Sequence, residues 1–116
     1  MPNFIAGKAA AAEMRGADPD DNIVGWYVNR RPGVPDIAVG EKALYLGTID
    51  DSITQTIAYH AIAEIILHDR PSKDATRIYL QMNEGQDILL PILGSRGKFF
   101  DSYEFTRFLM RVIGRR

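Results

Sequence analysis

Alternating apolar and polar positions in the first half of the chain predict an antiparallel β-meander. In the stretch IVGWYVNR, the side chains of Val24, Trp26 and Val28 recur at every second position, the period of a strand with one buried face. Further strands are expected after the turn-forming stretch RRPGVPD. The three predicted strands span residues 23–30, 37–39 and 43–49. Because Trp26 and Tyr27 fall on opposite faces of their strand, one of these two rings is expected to be exposed as an interface anchor, with packing in the core as the alternative.

Residues 52–68 carry a different pattern, which predicts a helix at the centre of the core. Ser52 and Gln55 have the spacing of a reciprocal N-terminal capping pair, and Pro71 follows the segment. Placed on a helix, the segment is apolar nearly all round, which is typical of a helix enclosed by neighbours on more than one side. The apolar residues are Ile53, Ile57, Ala58, Ala61, Ile62, Ile65, Ile66 and Leu67.

Three other segments have shorter patterns. Residues 3–15 are compatible with a helix or, at NFIAG, with a first strand. Residues 76–82 alternate Ile78, Leu80 and Met82, as a strand does, and NEGQ forms a turn after them. Residues 87–93 are either the returning strand of a hairpin or a short helix. The strand is favoured, because Pro91 would cost a helix interior about 3 kcal/mol but is tolerated at a sheet edge.

The end of the chain predicts an amphipathic helix over residues 102–113. Asp101 and Glu104 form a capping pair, and arginines near the C-terminal end suit the negative pole of a helix. The apolar side chains that fall within one arc of the 3.6-residue period are Phe105, Phe108, Leu109, Val112 and Ile113.

Together these elements predict one α+β domain over residues 1–116. It contains an antiparallel or mixed sheet of about four to five strands, the central helix at 52–68, and the C-terminal helix at 102–113 covering one face. Over about eighty residues this order of elements resembles the ribonuclease H arrangement. Such nucleases hold two metal ions with carboxylates. Here the corresponding positions are Gly7 or Lys8, Ala58 or Tyr59, and Gln81, so the resemblance implies a degenerate arrangement without that metal chemistry.

Composition narrows the class of protein without naming a function. The 116 residues are 46% apolar and 25% charged, as in ordinary globular proteins, and the net charge is −1. No cysteine is present, which excludes disulfides and thiolate chemistry. No apolar run approaches the ~20 residues that a bilayer requires. We therefore expect a cytoplasmic protein that does not span a membrane.

The stretch YHAIAEIILHD comes nearest to a catalytic or metal-binding motif. On a helix, His60, Glu64 and His68 form a polar stripe with i, i+4 spacing, and His60 with Glu64 is a candidate pair for a metal-assisted hydrolase. All three cannot bind one ion, since about 12 Å of helix separates the two histidines. A solvent-facing stripe is the favoured interpretation. A third interpretation of the stripe is a pH-responsive patch, because histidine changes charge near neutral pH.

Other sequence motifs are incomplete. Asp18, Asp20 and Asn22 match the start of a calcium loop, but Ile23 replaces its glycine and Asn29 its final glutamate. No serine stands in a G-x-S-x-G motif, and GSRGKFF lacks the first glycine and the Ser or Thr of a phosphate-binding loop. We therefore expect no enzymatic activity, no cofactor and no bound metal.

Basic side chains are the remaining candidates for binding. Residues 87–116 contain six Lys or Arg against three acids, which makes this part of the chain +3. The candidate binding residues are Arg30, Arg31, Arg96, Lys98, Arg107 and Arg111. The favoured hypothesis is a small inhibitor, adaptor or regulatory subunit that contacts another protein. Nucleic-acid contact through the basic C-terminal surface is the alternative, and a homodimer through residues 87–93 is a further option.

Overall fold

A computed structural model of the chain describes residues 4–6, 20–29, 33–47, 55–67, 78–92 and 98–114. Side chains are described for residues 20–29, 33–47, 55–66, 78–92 and 104–114. These ranges contain eight strands and one α-helix: β1 (Phe4–Ala6), β2 (Ile23–Tyr27), β3 (Asp36–Gly40), β4 (Ala43–Gly47), β5 (Gln55–Ala58), β6 (Ile62–Leu67), β7 (Ile78–Met82), β8 (Ile88–Leu89) and α1 (Lys98–Gly114). The strands form two antiparallel sheets, so the α+β class is confirmed, whereas the single sheet of four to five strands is not found.

The first sheet has five strands in chain order, β1 to β5. It contains the predicted meander, whose strands are confirmed at β2, β3 and β4 with slightly different bounds. The strand alternative for residues 3–15 is found at β1, and the rest of that segment lies outside the described residues. Within the sheet, Trp26 pairs with Ala38 and Ala38 with Tyr45, while Leu44 pairs with Ile57 of β5.

The predicted central helix at 52–68 is wrong. The described part of this segment, residues 55–67, is instead β5, a 3₁₀ turn at Tyr59–Ala61, and β6. β-Branched side chains at Thr56, Ile57, Ile62, Ile65 and Ile66 favour an extended backbone. The chain crosses from the first sheet to the second at the 3₁₀ turn. Apolar residues on two separate strands therefore produced the pattern of a helix that is apolar all round.

The second sheet has three strands in the order β6, β7, β8. Predicted strands at 76–82 and 87–93 are confirmed at β7 and β8, and the turn between them has Gly85 at φ 85°, which favours glycine. The predicted C-terminal helix is confirmed as α1, which begins at Lys98 and ends at Gly114. With no helix at 55–67, the described elements do not follow the ribonuclease H order, and that alternative fails.

One core lies between the two sheets and α1. The inward side chains of both sheets meet Phe105, Leu109 and Val112 of the helix. The rings of Tyr27 and Phe105 pack edge to face with centroids 5.9 Å apart, which connects β2 to α1. The buried members of this core are Tyr27, Ile37, Val39, Leu44, Leu46, Ile57, Tyr59, Ile78, Leu80, Leu90, Ile92, Phe105, Leu109 and Val112.

Strands β2 to β4 of the five-stranded sheet are also buried on their other face. A second cluster there contains Ile23, Trp26, Val28, Ala38, Ala43 and Tyr45. Trp26 is 3% exposed and Tyr27 is 0% exposed. The expectation that one of these two rings is exposed is therefore wrong, because alternation places side chains on opposite faces but does not determine which face is covered.

Two buried polar side chains hold the connections between strands. The Asp21 carboxylate accepts hydrogen bonds from the backbone N–H of Glu41 (2.8 Å) and Lys42 (3.1 Å) and from the Tyr45 hydroxyl (2.6 Å). A Cβ on Gly40 would overlap this carboxylate, 2.7 Å from its Cγ. Asp21 therefore fixes the turn between β3 and β4, and only glycine fits beside it.

Asn29 connects the two sheets. Its Nδ2 donates to the carbonyl of Pro35 (2.8 Å) and to that of Pro91, which follows β8. Its backbone N–H donates to the buried Asp36 carboxylate at 2.8 Å. Because Asn29 is itself buried, these bonds satisfy polar groups that water does not reach.

Candidate functional site

An open groove lies between β6 and α1. Its volume is about 290 Å³, near the lower end of the range for ligand-binding pockets. β6 forms one wall and the C-terminal half of α1 forms the other. The lining residues are Tyr59, Ile62, Ala63, Glu64, Ile65, Met110 and Ile113.

Tyr59 gives the groove a rigid base. Its ring is buried, its hydroxyl donates to the Gly40 carbonyl at 2.6 Å, and its backbone N–H donates to the Lys42 carbonyl at 3.0 Å. Both bonds reach the turn that Asp21 holds in place. The base of the groove is thus already ordered before a partner binds, which lowers the conformational entropy that is lost on binding.

Met110 forms the rim on the helix side. It is 51% exposed, although large apolar side chains are usually more buried than this. Ile113, one turn further along α1, is partly buried against the core. A thioether side chain has three rotatable bonds and adapts to different apolar shapes. The helix wall therefore presents an adaptable apolar contact next to the fixed ring of Tyr59.

β6 forms the other wall and is the terminal strand of its sheet. One side of β6 pairs with β7, and in the described parts of the chain no strand pairs with its other side. The register shifts between Ile62 and Glu64, so Ala63 is an extra residue in the strand. Such a bulge, common at sheet edges, redirects the side chains around it. The groove therefore runs beside backbone groups that a further strand could pair with.

Glu64 is the charged residue of the groove lining. Its side chain is exposed, and among the described residues it forms no ion pair. Glu64 is also the carboxylate that the sequence pairs with His60. In the structure the helical i, i+4 spacing between these two residues does not exist, because His60 lies in the 3₁₀ turn and Glu64 in β6.

The histidine stripe is therefore not assembled as predicted. The carbonyl oxygen of His60 accepts a hydrogen bond from Asn83 Nδ2 at 2.9 Å, and the His60 side chain is exposed. His68 lies outside the described residues. Within the described ranges, no group of three or more His, Cys, Asp or Glu side chains could hold a metal ion. The spacing argument for a shared ion at His60 and Glu64 depended on a helix and loses its basis.

Of the predicted basic residues, the described part of the chain contains the side chains of Arg107 and Arg111. Both are exposed and lie one turn apart on α1, outside the groove. Lys98 is the first residue of α1, and its side chain is not described. The other predicted binding residues, Arg30, Arg31 and Arg96, lie outside the described residues.

The acidic turn is held differently from a calcium loop. Asp20 and Asn22 are exposed, and Asp18 lies outside the described residues. The buried carboxylate between them, Asp21, points to the turn of the next hairpin. Asp21 is not part of the calcium-loop motif, yet it is the carboxylate that holds the turn between β3 and β4.

A second exposed apolar surface lies on the outer face of the three-stranded sheet. Ile66 pairs with Tyr79, and Tyr79 pairs with Leu89, so the three side chains form one row across the strands. Leu89 is 48% exposed, and the other two are partly buried. This outer row is separate from the groove lining.

Comparisons with known proteins found no match for this chain. No protein-family model matches the chain, and neither a curated protein nor a solved structure matches it significantly. In the described ranges, no helix has the length and apolar character needed to cross a bilayer.

Sequence reasoning missed the groove, since of its lining residues it singled out Glu64 alone as a candidate. The run IAEIIL was a usable signal, because a short apolar segment rich in isoleucine is also typical of a strand. The position of that strand at a sheet edge, next to α1, depends on contacts between distant parts of the chain. No local sequence pattern indicates that position.

Proposed function

We propose that this protein is a small non-enzymatic binding module that recognises another protein through the groove between β6 and α1. The observation that carries the proposal is the combination of a side of β6 with which no described strand pairs and an apolar groove whose rim residue, Met110, is half exposed. Exposed apolar surface next to a rigid base is typical of protein interaction sites. An inhibitor, an adaptor or a regulatory subunit would each act through such a surface.

The lining of the groove supports a binding role more than a catalytic one. It contains one carboxylate, one tyrosine hydroxyl and otherwise apolar side chains. The hydroxyl of Tyr59 is already committed to the Gly40 carbonyl. General acid–base or nucleophilic catalysis requires at least two polar groups that converge on a reacting atom. The groove lining offers a single uncommitted one, Glu64.

Nucleic-acid contact is a second candidate, supported by Arg107 and Arg111, which are exposed one turn apart on α1. Phosphate contacts release counterions, so such binding should weaken steeply between about 50 and 200 mM salt. Binding that is insensitive to salt, or unchanged when both arginines are replaced by glutamate, would exclude this candidate. The charge of Glu64 makes the groove itself unsuited to phosphate.

Site-specific photo-crosslinking tests the protein-binding proposal. A photoreactive benzoylphenylalanine is placed at Met110 or, as a matched control, at Leu89, which is equally exposed but lies in the outer row. After irradiation in the native host, the Met110 variant should give one discrete adduct that mass spectrometry identifies. The identified protein, once purified, should bind the wild-type chain. No adduct at Met110, or the same adduct at both positions with equal yield, would contradict the proposal.

A further inference from the structure

We infer that the partner docks as an extended segment that adds a strand to β6, with an apolar side chain in the groove and a basic side chain beside Glu64. This inference rests on the proposed function and names the partner chemistry of the same groove. In strand addition, main-chain hydrogen bonds provide affinity, and pockets for alternate side chains provide specificity. Both requirements can be examined at β6.

Among the described sheet edges, β6 is the one suited to receive a strand. The five-stranded sheet ends at β1, which has three residues, and at β5, which has four. The three-stranded sheet ends at β8, which has two residues and is followed by Pro91. Short strands and proline are devices that prevent edge pairing. β6 has six residues and no proline, which makes it the longest of these edge strands; its regular part after the bulge at Ala63 is residues 64–67.

An extended segment suits this groove because the strand β6 forms one of its walls. An extended chain places successive side chains on opposite sides, so alternate side chains can enter the groove while its backbone pairs with β6.

The charge of Glu64 selects the side chain that the partner carries. Glu64 is exposed on the groove wall and forms no ion pair with another described residue. A Lys or Arg from the incoming segment would supply an opposite charge across the new strand pair, which stabilises cross-strand contacts. The partner segment is therefore apolar at alternate positions and basic at the position facing Glu64.

The same charge disfavours a second copy of this chain as the occupant. Glu64 is the third of the six residues of β6, so a symmetric antiparallel pairing of two β6 strands would bring the two carboxylates close together. Like charges across paired strands are destabilising. A partner that brings a basic side chain avoids this repulsion.

The test uses a displayed library of random 12-residue peptides as the probe and the full chain as the target. Enriched peptides should carry apolar residues at alternate positions and at least one Lys or Arg. They should shift the NMR signals of the β6 backbone amides and slow the hydrogen exchange of those amides on the unpaired side. Binding should weaken at least 10-fold in Glu64→Lys, and exchanging the basic peptide residue for Glu should restore it.

The control variant is Glu84→Lys, which makes the same charge change at an exposed residue outside the groove. It should leave peptide affinity within about twofold, because Glu84 does not line the groove and salt screens interactions between exposed charges. Melting curves of both variants establish that each is folded. Equal loss in the two variants would overturn the inference, as it would reflect net charge alone.

Three other outcomes would also overturn it. Enriched peptides could bind as helices, without slowing exchange at β6. They could bind elsewhere, without any dependence on Met110→Asp. The chain could instead form a dimer through β6 in sedimentation analysis. These outcomes concern the docking of an extended segment, whereas the proposed function is tested separately by the Met110 crosslink, its Leu89 control and the purified complex.

Discussion

The two sheets of this protein carry equivalent rows of side chains on their outer faces, with opposite exposure. In strands β2 to β4 of the five-stranded sheet the cross-strand row is Trp26, Ala38 and Tyr45, each no more than 3% exposed. In the three-stranded sheet the corresponding row is Ile66, Tyr79 and Leu89, and it ends at a side chain that is 48% exposed.

This difference separates the part of the fold that provides stability from the part that remains accessible. Strands β2 to β4 of the five-stranded sheet are buried on both faces, so their side chains contribute to two apolar clusters. The three-stranded sheet contributes one face to the core, its outer row ends at the half-exposed Leu89, and no described strand pairs with the second side of β6. Alternation of apolar residues is therefore compatible with either role, and what covers each face decides between them.

The largest expected effect comes from removing the Trp26 ring from the buried row. Trp26→Ala should lower the free energy of unfolding by about 3–5 kcal/mol, because it leaves a large cavity. The matched change on the open row, Leu89→Ala, should cost less than about 1 kcal/mol, since much of that side chain is already in water. Urea denaturation measures both. Similar losses in the two variants would remove the contrast between the sheets.

Asp21 gives the next largest effect. Asp21→Ala should destabilise the fold by about 2–3 kcal/mol, because a buried carboxylate that accepts from two backbone N–H groups and the Tyr45 hydroxyl is lost. The neighbouring Asp20→Ala, at an exposed residue, should cost less than about 1 kcal/mol. A larger loss of stability in the Asp20 variant than in the Asp21 variant would show that Asp21 does not hold the turn.

Replacing Asn29 should destabilise the fold less than replacing Asp21 does, but more than the control substitution at Asn83. Asn29→Ala removes the donor shared by the Pro35 and Pro91 carbonyls and should cost about 1–2 kcal/mol. Asn83→Ala removes an exposed bond to the His60 carbonyl and should cost about 0.5 kcal/mol. Thermal unfolding of the two variants compares a connection between the sheets with one at the surface.

The sequence was informative wherever one strong period lay within one element. The strands β2 and β7 follow from alternation and the helix α1 from the 3.6-residue arc, while β3 and β4 follow as short apolar runs on either side of the turn at residues 40–42. The sequence was misleading at 52–68, where two strands with inward isoleucines imitate a buried helix. In such short apolar runs, periodicity alone does not separate the two structures.

The candidate site was less predictable than the fold, for a physical reason. Glu64 was singled out as part of a helical stripe, yet its relevance comes from its position on an edge strand beside Met110. The burial of both Trp26 and Tyr27 likewise depends on which segments cover each face. Edges, grooves and covered faces are properties of packing between distant segments, which local patterns do not contain.

The affinity of the crosslinked partner for two variants tests the central claim most directly. Met110→Asp introduces a charge at the groove rim, and Leu89→Asp introduces the same charge at an equally exposed residue of the outer row. By isothermal calorimetry, Met110→Asp should weaken binding at least 10-fold, about 1.4 kcal/mol, while Leu89→Asp stays within twofold of the wild-type chain. Full affinity in Met110→Asp, or a loss confined to Leu89→Asp, would place the interface elsewhere and contradict the account.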